Sequence, residues 1–73
     1  MLETITQIIA EQMDVQPESI TLDTRLVEDL HADSIDAAEM IINIESALDK
    51  RFEDEVITEL KTVRDIVEYL EKQ

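Results

Sequence analysis

The chain has 73 residues, 19 acidic side chains against six basic ones, a net charge of −13, no cysteine, no glycine and one proline. That length supports a single small domain spanning residues 1–73 with a limited core, and the missing cysteines exclude disulfides and thiolate metal sites. The charge repels nucleic acid and anionic membranes, leaving basic protein surfaces and divalent cations as the partners it admits.

Hydrophobic residues make up 44% of the chain, and their helical periodicity predicts an ordered, all-α fold rather than disorder. From about residue 3 to 14, Ile5, Ile8, Ile9 and Met13 share one helical face, which Leu2 extends by a turn. Pro17 ends this helix, because it lacks an amide hydrogen and restricts Gln16 away from helical geometry. Residues 15–33 form a long connection, with a short turn near 25–29. Val15, Ile20, Leu22, Leu26, Val27 and Leu30 are expected to pin it to the core. Connections of this length commonly carry function.

A second helix is predicted from Ser34 to Leu48 or a few residues beyond. Asp33 is its N-cap, and Asp36, three residues on, approximates a capping box. A short helix follows around 54–60. The last begins after Thr62, whose partner three residues on is Asp65, and runs to about Glu71. It buries Val63, Ile66, Val67 and Leu70 at i, i+3, i+4 and i+7. The expected architecture is a bundle of three main helices plus one short one.

The second helix is apolar on two sides. At about 100° per residue, Ala37, Met40, Ile41, Ile44 and Leu48 gather on one broad face, the core face. Ile35, Ala38 and Ile42 fall mainly opposite, near Glu39, Ser46 and Asp49. Burial all round is ruled out by Asp36, Glu39, Asn43, Glu45 and Asp49, which need solvent. The second apolar strip is either a scatter of surface aliphatics or a docking face whose acids steer it onto a basic partner.

Ser34 starts that helix. Read locally, it is a cap residue or an attachment point. As a hydrolase nucleophile it lacks support: the one histidine, His31, lies three residues away, and no glycine-rich elbow accompanies it. Enzymatic activity is not expected, and neither is a metal site, since no Asp-x-Asp-x-Asp-Gly loop is present.

The segment Val27-Glu28-Asp29-Leu30-His31-Ala32-Asp33-Ser34-Ile35-Asp36 resembles the phosphopantetheine attachment site of acyl carrier proteins, whose usual form reads Asp-Leu-Gly-Ala-Asp-Ser-Leu-Asp. The resemblance extends along nearly the whole chain. It takes in the first amphipathic helix, Val15-Gln16-Pro17-Glu18, the long loop, the acidic second helix with Glu39, Glu45, Leu48 and Asp49, and the closing Thr62-Val63. It implies an acyl-carrier-like bundle in which a phosphopantetheinyl transferase, using coenzyme A, attaches 4′-phosphopantetheine to Ser34. The thiol of that arm holds acyl groups as thioesters, most simply for fatty-acid biosynthesis. Asp33, Ile35, Asp36, Glu39, Ile42 and Glu45 match positions that dock acyl synthases, reductases or acyltransferases through basic patches. Leu30, Ile44, Phe52, Leu60 and Val63 are candidates for lining an acyl pocket, although core and pocket positions look identical in sequence.

Three departures stand out. His31 replaces the usual glycine, which costs energy if the backbone there needs positive φ. Arg51-Phe52-Glu53-Asp54-Glu55 replaces Glu-Ile-Pro-Asp-Glu, and without the proline either a longer second helix or a shifted loop is expected. Ser46 and Ala47 stand where acids are frequent. Two alternatives stay open: a carrier for a specialised polyketide, peptide or lipid pathway, or a non-carrier acidic helical adaptor. With no apolar run of membrane-spanning length and no signal-peptide pattern, a soluble, cytoplasmic monomer is the expectation.

Overall fold

A computed structural model describes all residues, 1–73. The fold is all-helical: α1 spans Leu2–Met13, α2 Ser34–Leu48, α3 Asp54–Ile57 and α4 Val63–Glu71. A 3-10 turn at Pro17–Ser19 interrupts the long connection, and its proline occupies the first helical position, where no amide hydrogen is needed. The turn predicted near 25–29 is present, closed by the Asp29 amide donating to the Arg25 carbonyl at 3.0 Å and the His31 amide to Val27 at 3.0 Å.

Helices α1 and α2 end in the same way without glycine. Asp14 and Asp49 adopt left-handed φ of 56° and 55°. The next amides, Val15 and Lys50, each donate 3.1 Å back to Ala10 and Glu45, closing a Schellman motif. Helix α2 therefore stops at Leu48, and the missing proline in the following loop does not lengthen it. Helix α3 is shorter than expected. After Ile57 the chain tightens into i→i−3 bonds (Glu59 to Val56 at 2.8 Å, Leu60 to Ile57 at 3.3 Å), so the region 58–60 is turn rather than α-helix.

One core of 14 residues joins the elements, with Ile5, Ile9, Met40, Ile44, Val63 and Ile66 wholly buried. All four expected residues of α4 are in it, as are Met40, Ile41 and Ile44 of α2, while Ala37 and Leu48 are half-buried at its margin. At the edges, Ile8 and Met13 pack half-buried against this core as their shared face implies, Ala10 joins the buried stripe, and Leu2, on the first turn of α1, is exposed rather than extending it. In the connection, Ile20 and Leu26 are buried, but Val27 is 62% exposed.

The connection is fastened to α4 by its backbone. The Leu26 amide donates to Lys61 at 2.9 Å; in return Val63 donates to Thr24 at 3.1 Å and Arg64 to Leu22 at 2.9 Å. The first amides of a helix have no partner within it, and here the loop supplies carbonyls for two of them. The next, Asp65, donates to the Thr62 hydroxyl, whose own backbone amide donates to the Asp65 carboxylate. Between α1 and α2, Gln12 donates to the Asp36 carbonyl at 2.8 Å and accepts from Asn43 at 3.2 Å. No helix is long and apolar enough to cross a membrane.

Candidate functional site

The start of α2 is built by a reciprocal capping box. The Asp36 amide donates to the Asp33 carboxylate at 2.9 Å, and the Asp33 amide donates to the Asp36 carboxylate at 3.3 Å. Asp33, not Ser34, is therefore the cap. Ser34 occupies the first helical position with an exposed side chain. Its amide and that of Ile35 have no partner within the chain, in contrast to the two amides that the loop satisfies at the start of α4.

The approach to Ser34 is held by Arg25. Its guanidinium donates 3.1 Å to Asp29 and its backbone amide donates 2.8 Å to the same carboxylate, while Glu28 lies 3.8 Å away. The Arg25 side-chain hydrogen bond, reinforced by the backbone one, holds the Asp29 carboxyl below the usual carboxylate range. His31, which follows, has φ of 60°. The position does require the left-handed conformation that glycine adopts freely.

Beside Ser34 lies a groove of about 500 Å³. Its walls are Asp33, Ser34 and Ala37 at the start of α2, Val27 and Ala32 from the loop, and Ile57, Thr58 and Leu60 from the end of α3 and the turn after it. Two other depressions, between α1 and α2 and along residues 51–55, have one hydrophobic lining residue each. The groove at Ser34 is the apolar one.

Of the residues expected to line an acyl pocket, Leu60 borders this groove. Ile44 and Val63 are wholly buried in the core, Phe52 is buried and stacked on Tyr69 with ring centroids 5.2 Å apart, and Leu30 packs half-buried against the core. Sequence reasoning missed Val27, Ala32, Ala37, Ile57 and Thr58. Ala37 carried a usable signal: three residues after Ser34, it lies on the same helical face.

The expected docking residues divide into two groups. Ile35 and Ile42 protrude at 68% and 61% exposure, with Glu39 exposed between them. Asp33 and Asp36 are engaged in the capping box. Glu45 is half-buried and accepts a 2.7 Å hydrogen bond from the Phe52 amide. No cluster of three or more His, Cys, Asp or Glu side chains is arranged to hold a metal ion.

Residues 3–70 match the family defined by the phosphopantetheine attachment site. Over 69 residues the chain is 39% identical to an acyl carrier protein of Borrelia garinii subsp. bavariensis, covering 94% of this chain and 86% of that protein. It is 40% identical over 72 residues to that of Onion yellows phytoplasma, covering 99% and 95%. Against that of Syntrophobacter fumaroxidans it is 43% identical over 68 residues, covering 93% and 84%.

The chain belongs to the acyl carrier protein family. Acyl carrier proteins are carriers rather than enzymes, and their prosthetic group is 4′-phosphopantetheine. The absence of cysteine is compatible with thioester chemistry in this family, because the thiol arrives with the prosthetic group.

Proposed function

We propose that Ser34 receives the 4′-phosphopantetheine and that the loaded protein carries acyl intermediates of fatty-acid biosynthesis in the cytoplasm, as a monomer. The observation that carries this reading is the division of labour at the start of α2. Asp33 does the capping, so the exposed Ser34 hydroxyl is not needed to start the helix.

The surroundings fit the group. A phosphodiester on Ser34 would meet the open amides of Ser34 and Ile35 and the positive end of the helix dipole. The apolar groove offers Val27, Ala37, Ile57 and Leu60 to an acyl chain. When bound, the group supplies the thiol on which acyl groups are held as thioesters. Ile35, Glu39 and Ile42 form the centre of a docking strip, with Asp33, Asp36 and Glu45 at its edges. Its partners are a phosphopantetheinyl transferase and acyl-handling enzymes with basic patches.

The test is intact mass. Incubation with coenzyme A and a phosphopantetheinyl transferase is expected to add one arm to the wild type and none to Ser34→Ala. An unmodified wild type beside an active transferase control overturns the assignment. A ladder of saturated acyl adducts two carbons apart on the protein isolated from its source supports fatty-acid biosynthesis; other adducts place it in a specialised pathway.

A further inference from the structure

Helix α3, together with the turn after it, forms one wall of the groove, yet little of its own packing holds it. It has four residues, none fully buried, and its two apolar side chains, Val56 and Ile57, are half-buried. An element so short is fixed by what anchors its ends. On the C-terminal side, the Leu26 amide holds the Lys61 carbonyl at 2.9 Å.

On the N-terminal side, residues 51–53 are fastened by side chains from both neighbouring helices. Glu45 of α2 accepts the Phe52 amide at 2.7 Å. Tyr69 of α4 accepts the Glu53 amide on its hydroxyl at 3.3 Å and stacks its ring on Phe52, with an interplanar angle of 15°. Gln73 adds a hydrogen bond to the Arg51 carbonyl. Glu45 follows the buried Ile41 by four residues, which sets it on the margin of the core face of α2, from where its carboxylate reaches this loop. Ile35, Glu39 and Ile42 face elsewhere.

We infer that Glu45 and Tyr69 are positioning residues that latch the loop before α3, and thereby set the wall of the groove beside Ser34. Neither residue lines the groove. Their action is indirect: releasing the Phe52 and Glu53 amides frees the N-terminal anchor of α3, and Ile57 and Leu60 move with it. Glu45 thus governs how well a cargo is sheltered, beyond any role at the edge of the docking strip. The consequence for cargo rests on the attachment of the arm at Ser34; the latch itself does not.

Amide hydrogen exchange on the arm-free protein tests the latch. Glu45→Ala and Tyr69→Leu are expected to speed exchange at residues 52–60 by at least about tenfold, with α1 and α4 changed far less. Glu45→Gln, which retains an acceptor, is expected to stay near wild type, and Tyr69→Phe, which keeps the ring, to fall between. Unchanged exchange at 52–60 in Glu45→Ala overturns the latch, as does a uniform rise across all helices, which marks global destabilisation.

The groove is then read on loaded protein from the rate of thioester cleavage by hydroxylamine, octanoyl against acetyl. The wild type is expected to protect octanoyl more than acetyl, and Glu45→Ala to bring the two rates together. A ratio unchanged by Glu45→Ala, despite faster exchange, overturns the link from latch to groove. Failure of the wild type to load overturns the attachment reading instead, and the exchange data still decide the latch.

Discussion

Asp33 and Asp36 exchange backbone-to-carboxylate hydrogen bonds of 2.9 and 3.3 Å across the first turn of α2, with Ser34 between them and outside the exchange. Stability at this turn therefore falls to the two aspartates, and Ser34, the proposed attachment residue, is left out of it. Asp33→Ala is expected to cost about 1 kcal/mol, the usual value of a lost N-cap, while Ser34→Ala should change stability by less than about 0.5 kcal/mol. Urea denaturation of the unmodified proteins measures both. A larger loss for Ser34→Ala would return Ser34 to a structural role.

Two isoleucines on α2 should separate packing from recognition. Ile44 is wholly buried and Ile42 is 61% exposed. Ile44→Ala is expected to cost about 2–5 kcal/mol, a large part of the stability of so small a domain. Ile42→Ala should leave the melting temperature nearly unchanged and weaken binding to the modifying transferase, as measured by the KM for the carrier.

The left-handed turn at His31, φ 60°, should respond to side-chain shape alone. His31→Gly is expected to stabilise by up to about 1 kcal/mol, because a Cβ is disfavoured at that φ, less the extra freedom glycine gives the unfolded chain. His31→Val should destabilise, since β-branched residues tolerate the region least. Thermal melts of the three proteins give the order.

Acid should unfold the protein partly through Asp65 and Asp29. The amides of Lys61 and Thr62 hold the Asp65 carboxyl below its ordinary value, and the Arg25 guanidinium does the same for Asp29. A carboxyl whose folded pKa is depressed contributes stability that is complete above its unfolded pKa and lost as pH falls through the folded one. Melting temperature is therefore expected to drop below about pH 4, and to drop less steeply in Asp65→Asn, which no longer titrates there.

At neutral pH the opposing effect is repulsion among 19 acids with six bases to offset them. Added sodium chloride should raise the melting temperature, most of the gain coming below about 0.15 M, as the screening length contracts to about 8 Å. A melting temperature independent of salt would show that the charge is locally compensated.

How much of this was legible in the chain depended on how local the cause was. The start of α2, its end near Leu48 and the two capping boxes follow from residues within four positions of one another, so they need no tertiary information; the positive φ at His31 was only a condition raised by the family's usual glycine, and the structure meets it. The 3-10 turn at Pro17–Ser19 had a local signal too, in proline followed by acidic and hydroxyl residues, but was not distinguished from the surrounding loop. The helical periodicity over 54–60 does not show that the chain tightens into i→i−3 bonds after Ile57, just before the Lys61 carbonyl accepts from the Leu26 amide.

The attachment motif, the acidic two-faced α2 and the family are properties of the sequence itself, because short-range spacing and side-chain chemistry specify them. Tertiary structure alone decided that Ile44 and Val63 are core while Leu60 borders a groove, that Val27 is exposed, and that Glu45 holds the Phe52 amide instead of standing free. Those outcomes turn on which elements meet in space. Residues as distant in sequence as Val27 and Ile57 share the groove in a fold whose loop is fastened to α4, and no periodicity encodes that meeting.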